Sequence, residues 1–128
     1  MQEHCMNRIF RAFVSVFVLS SIAMQAHAQE APVTGKEIQD NWMGKTLLGT
    51  TANGAPVTMV LSANGTATLS AGSTNDSGTW RAAENGYCTT WKTIRAGQER
   101  CFTTRRSGSK VIVLNPDGSV SGQFHEIK

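Results

Sequence analysis

Apolar residues in this chain fall into short runs, broken roughly every ten residues by turn chemistry of the kind that joins adjacent strands. The breaks are Asn53-Gly54, Asn64-Gly65, Asn75-Asp76, Asn85-Gly86, Ala96-Gly97, Ser107-Gly108 and Pro116-Asp117-Gly118. They separate eight runs, at about 45–52, 56–62, 66–71, 77–83, 87–93, 98–105, 109–115 and 119–126. Several alternate with the period of a half-buried strand: Val57, Met59 and Leu61 share one face, as do Val120, Gly122 and Phe124. Val111, Ile112, Val113 and Leu114 are continuously apolar, and alternation leaves their inward face open. Eight short strands with tight connections predict a small antiparallel up-and-down barrel, which removes the edge-strand liability by closing on itself. A two-sheet sandwich or an open, strongly bent sheet is the alternative.

Ahead of the meander the period changes. Thr34 followed by Glu37 has the form of a capping box, Ile38 and Trp42 stand at i and i+4, and Gly44 supplies a stop. These predict a short helix over 35–43 whose Trp42 docks it over one end of the barrel. Residues 29–34, with Pro32, read as a flexible tail. Upstream, Arg8 and Arg11 flank an apolar run of 13 residues, Ala12 to Met24, and Ala26-His27-Ala28 offers small residues at the cleavage positions. That is the pattern of a signal peptide ending at Ala28, with Met6 able to serve as its start. The run is shorter than the about 20 apolar residues that a spanning helix needs. Gln29, where a lipoprotein would carry cysteine, points to a soluble periplasmic or secreted product without a transmembrane segment. The predicted layout is therefore 1–28 signal peptide, 29–34 tail and 35–128 one barrel domain.

Composition adds limits. With 128 residues, 40% hydrophobic and 16% charged, the chain has room for one ordinary globular domain and is neither disordered nor collagenous. Beyond Ala28, Lys+Arg falls from 12 to 10 and Asp+Glu from 9 to 8, a net charge of +2 that does not call for nucleic acid. Lys92, Arg95, Arg100, Arg105, Arg106 and Lys110 make the stretch 92–110 locally basic, which suits solvated surface, lipid headgroups or an acidic partner. Cys88 and Cys101 remain as an even pair in an oxidising compartment, favouring a disulfide over zinc.

A Cys88–Cys101 bridge between directly opposed strands would set a register in which Thr89 faces Arg100 and Trp91 faces Gln98. Alternation then puts Tyr87, Trp91, Arg100, Phe102 and Thr104 on the core face. Arg100 is the anomaly, because a guanidinium is almost never buried without a partner. It either snorkels at the rim, stacking on Trp91 or pairing with Asp76 or Glu126, or points into a cup. In the second case Arg100, Tyr87, Trp91 and Phe102 form a binding site for a small, partly apolar anion. Trp80, just after Gly78-Thr79, is placed to close the barrel floor.

Gly44-Lys45-Thr46 leading into Gly49-Thr50, then Ser77-Gly78-Thr79-Trp80, Tyr87-Cys88 with Trp91, Arg100-Cys101-Phe102 and Pro116-Asp117-Gly118 carry a likeness. They resemble a family of small exported bacterial proteins of unknown function, over most of residues 34–128. The resemblance implies a periplasmic lipocalin-like barrel and brings no activity or functional residues with it. Gly-x-Trp is also similar to lipocalins and avidins, and the small barrel to periplasmic protease inhibitors, likenesses of fold that do not assign function.

Catalytic patterns are missing from the sequence. His125, the one histidine after Ala28, faces solvent on alternation, and no Ser–His–Asp set, carboxylate pair, metal-ligand spacing or phosphate loop can be assembled. The expectation is a monomeric, non-enzymatic binding module with no cofactor and no metal, its partner a small ligand or an envelope protein. The alternative is a protein that works through its surface. An inhibitor of an exported hydrolase that inserts Gln29 to Val33, or an envelope-associated factor, would fit that description.

Overall fold

Alternation and turn chemistry together close the sheet. The computed structural model describes residues 31–128; the expected signal peptide, 1–28, and the start of the tail lie outside the described residues. One helix, α1 (Gly35–Asn41), precedes β1 (Thr46–Thr51), β2 (Pro56–Leu61), β3 (Thr66–Ala71), β4 (Thr74–Ala83), β5 (Gly86–Trp91), β6 (Arg100–Ser107), β7 (Lys110–Leu114) and β8 (Val120–Ile127). Each strand pairs antiparallel with the next, and β8 pairs back onto β1, so the eight strands form a closed up-and-down barrel. The sandwich and the open sheet are thereby excluded. Among the described residues no helix is long and apolar enough to cross a membrane.

Inward positions follow the predicted alternation except at Val120, which is exposed where the β7–β8 register shifts. Met59 and Leu61 are buried on β2, Gly122 and Phe124 on β8, and Val111 and Val113 on β7, which resolves the face of that continuous run. Cys88 and Cys101 are bonded and directly opposed, with Tyr87 facing Phe102 and Thr89 facing Arg100, in the register that the cysteine pair predicts.

Two connections differ from expectation. The β3–β4 turn is Gly72-Ser73, not Asn75-Asp76, because Gly72 takes φ 60° at the first position of a two-residue hairpin turn while Asp76 pairs with Leu69 inside β4. The β5–β6 connection is not tight: ladder pairing stops at Thr89–Arg100, and the chain loops out over 92–99.

Small barrels bend sharply, and Gly78 is one place where the bend is made. A Cβ there would lie 1.9 Å from the Thr90 carbonyl oxygen on β5, so only glycine lets β4 approach its neighbour this closely.

The barrel has a closed end and an open one. Thr34 caps α1, its Oγ1 accepting from the Glu37 amide, and Ile38 and Trp42 are both buried, as the i, i+4 stripe predicts. Trp42 stands edge-on to Tyr87 and Phe124, with ring centroids 6.3 and 6.0 Å away. Trp80 closes the same floor, its Nε1 donating to the Ser62 carbonyl at 2.8 Å. Glu37 does not complete the capping box; its carboxylate pairs with Arg106 of β6 instead.

The N-terminal segment is held in place, contrary to the tail expected through residue 34. Its last residues take up the part of β6 that β5 leaves unpaired, since β5 begins only opposite Thr103. The Val33 amide donates to the Thr104 carbonyl at 2.9 Å, and the Arg106 amide to the Ala31 carbonyl at 2.9 Å. Thr104 Oγ1 adds a bond to the Val33 carbonyl, and Val33 is fully buried. Unpaired backbone groups and an apolar side chain next to the floor explain why this stretch docks.

Candidate functional site

The end of the barrel opposite α1 is a cup. Its rim is built by the β1–β2, β3–β4, β5–β6 and β7–β8 connections, and its cavity measures about 130 Å³. Met59, Leu69, Val113 and Phe124 supply apolar wall, and Thr50, Thr51, Ser121 and Gln123 bring polar groups to the β1–β8 side.

Three of the four predicted site residues meet in this cup. Tyr87, Trp91 and Phe102 line it, all buried, with the Tyr87 and Phe102 rings 5.4 Å apart. Arg100 does not join them. It is exposed at the start of β6, and the cation in the cup is Arg95. Arg100 keeps the predicted pairing with Thr89 and the parity of Phe102, but as the first residue of β6 it stands at the open end of the barrel with its side chain exposed. The ladder ends at that pair, and the loop beyond it turns through two left-handed residues, Arg95 (φ 57°) and Ala96 (φ 52°), which swing Arg95 over the opening. Non-glycine residues in that region are uncommon, and consecutive ones need support from their surroundings. Neither carboxylate considered for Arg100 serves it: Asp76 is bound to the 93–94 backbone, and Glu126 faces Lys128.

Arg95 lies with its guanidinium carbon 5.4 Å from the Phe102 ring centroid, and one Nη donates to Thr89 Oγ1 at 3.1 Å. Its Nε is buried without a hydrogen-bond partner, and among the described residues no carboxylate pairs with it. Burial first, then the like charge of Arg100, lower its pKa from the usual arginine value. It stays charged nonetheless, as arginine does in proteins. Burial pushes the Tyr87 hydroxyl pKa upward, with Arg95 opposing the shift.

The loop that delivers Arg95 is fastened by Asp76. One carboxylate oxygen accepts from the Thr93 amide (2.9 Å), the Thr93 hydroxyl (2.8 Å) and the Ile94 amide (2.8 Å); the other accepts from the Ser77 amide (2.8 Å). The Ile94 amide is the largest of the influences that hold this carboxyl well below the ordinary carboxylate range. Because the folded pKa is depressed, the fastening is complete above the unfolded value of about 3.9 and is lost as pH falls toward the folded one. In Asp76→Ala, amide hydrogen exchange at Thr93 and Ile94 should speed up at pH 7 while amides of β2 and β3 stay protected. The native protein should keep full loop protection down to about pH 4 and lose it progressively below, as pH falls toward the depressed folded value. Unchanged exchange in the variant would show that Asp76 does not hold the loop.

Outside the barrel, Glu99 forms a two-point pair with Arg81 at 2.8 and 3.1 Å, over the disulfide. Cys88, Glu99 and Cys101 bring three ligand-type atoms within 4.8 Å, but both sulfurs are spent in the disulfide, so the group does not make a metal site. His125 is exposed on β8.

Sequence reasoning missed Arg95 and Asp76 as working residues. Arg95 registered only as one member of a basic stretch, and Asp76 as turn chemistry and as a candidate partner for Arg100; each acts through contacts that exist only once β4, β5 and the loop are assembled. No family model, curated protein or solved structure matches this chain.

Proposed function

We propose that this chain is an exported, non-enzymatic binding module that holds a small, partly apolar anion in the open end of its barrel. The observation that carries the reading is Arg95, a guanidinium turned into an aromatic-lined cavity with no carboxylate paired to it among the described residues. Partial burial of a charge without a counter-charge is costly, and an anion bound to its Nη donors in the cup offsets that cost. The titratable groups lining the cup are Arg95 and Tyr87, one staying protonated and the other pushed upward, so neither exchanges protons near neutrality. Such a lining suits binding better than acid–base catalysis. The tail-inserting inhibitor form of the surface-interaction alternative relied on a free N-terminal segment, and Ala31–Val33 are engaged on β6.

The test is native mass spectrometry of protein expressed as the full chain and purified from the exported fraction. A small-molecule adduct on the oxidised native protein, absent from a folded Arg95→Met variant, is the expected result. An adduct-free chain in both would overturn the reading.

A further inference from the structure

The dimensions and donors of the cup narrow its ligand. A cavity of about 130 Å³ is far below the several hundred cubic ångströms that enclose a drug-sized molecule or a long acyl chain. It is close to the roughly 150 Å³ apolar cavity that accepts a benzene ring. Its depth is limited because Trp42 blocks the floor against Tyr87 and Phe124, so a longer chain would protrude into solvent. The walls present flat surfaces: Tyr87, Trp91 and Phe102 offer ring faces and edges to a planar guest.

The charged end is equally restrictive. Among the described residues Arg95 is the only cation lining the cup, supported by uncharged hydroxyls. One guanidinium balances one negative charge, and its Nη groups donate in the planar geometry that the oxygens of a carboxylate accept. A phosphate monoester carries more charge and more acceptor oxygens than this single fork satisfies.

We infer that the cup takes a ring-sized monocarboxylate of about the bulk of benzoate, with its carboxylate on Arg95 and its ring among Tyr87, Trp91 and Phe102. This inference rests on the cup reading above and specifies its ligand class.

The probes are benzoate, its neutral amide benzamide, dodecanoate and inorganic phosphate, each titrated into the purified native protein. The readout is the indole N–H resonance of Trp91, with Trp80, whose indole is bonded to Ser62 at the closed end, as the internal reference. Benzoate should move Trp91 saturably and leave Trp80 in place. Benzamide should bind roughly tenfold or more weakly, the scale of a lost charge-assisted hydrogen bond. Arg95→Lys, which keeps the charge and removes the fork, and Arg95→Met should each weaken benzoate by at least about tenfold. Dodecanoate should be no tighter than benzoate, and phosphate should not compete.

Equal binding of benzamide, dodecanoate tighter by about tenfold, or competition by phosphate at similar concentration would each overturn the monocarboxylate assignment. An Arg95-dependent native adduct with Trp91 unmoved by all four probes would overturn it too, while leaving the cup reading intact. An unmoved Trp91 together with an adduct-free native mass would overturn both.

Discussion

Trp42→Ala should cost about 3–5 kcal/mol of folding stability, the range for removing a buried tryptophan. Trp42 is only 2% exposed and is the piece of α1 that reaches the barrel axis, meeting Tyr87 and Phe124 edge-on. Its loss removes these contacts and leaves a hole at the floor that backbone movement cannot fill, because the strands around it are fixed by closure. Domains of this size have total stabilities of about 5–15 kcal/mol, so the variant should be folded but marginal, with Tm lowered by more than about 10 °C. Trp42→Phe, which keeps a ring over the floor, should lose much less. The damage should also reach the cup, because Tyr87 is braced by Trp42 on one side and lines the cavity on the other. Thermal and urea unfolding of the three proteins checks this. A loss under about 1 kcal/mol for alanine would mean that the helix rests on the barrel without sealing it.

Much of this architecture was legible because its signals are local. Asn53-Gly54 and Asn64-Gly65 mark hairpins whose glycines have φ 84°, and period-2 alternation identified Met59, Leu61 and Phe124 as inward. The cysteine pair supplied one long-range fact, the β5–β6 register, and from it the company of Tyr87 and Phe102. What could not be read depends on contacts distant in sequence. Asp76 has turn-forming chemistry, but its carboxylate is used 17 and 18 residues away on Thr93 and Ile94. Glu37 looks like the second half of a capping box, yet it pairs with Arg106, 69 residues on. Arg100 occupies the last rung of the ladder, where the side chain is already exposed, whereas Arg95 enters the cup from the loop beyond, and nothing local marks where the ladder stops. Ala31–Val33 docked for a related reason: the vacancy that they fill exists only because β5 starts late.

These departures converge on the seam between β5 and β6. Its ladder runs only from Gly86–Thr103 to Thr89–Arg100, and three devices reinforce it: the Ala31–Val33 segment at one end, Asp76 under the loop at the other, and Cys88–Cys101 in the middle. The seam also carries the cup's chemistry, with Tyr87, Trp91, Arg95 and Phe102 on or beside it.

Replacing both cysteines with serine should therefore have two effects of different reach. The bridge spans 13 residues in sequence, and releasing that constraint frees the unfolded chain, lowering stability by about 3 kcal/mol in the loop-entropy treatment. Locally, the short ladder loses its covalent clamp one residue from the last paired position, so Arg95 is delivered less accurately. Urea unfolding should show the loss in the transition midpoint with little change in slope. Amide exchange should show Thr89 and Thr103 losing protection before amides of β2 and β3, and Trp91 should respond more weakly to benzoate than in the native protein. A stability loss below about 1 kcal/mol would refute the chain-entropy contribution. Uniform exchange across all eight strands would refute the seam as the place where the barrel opens first.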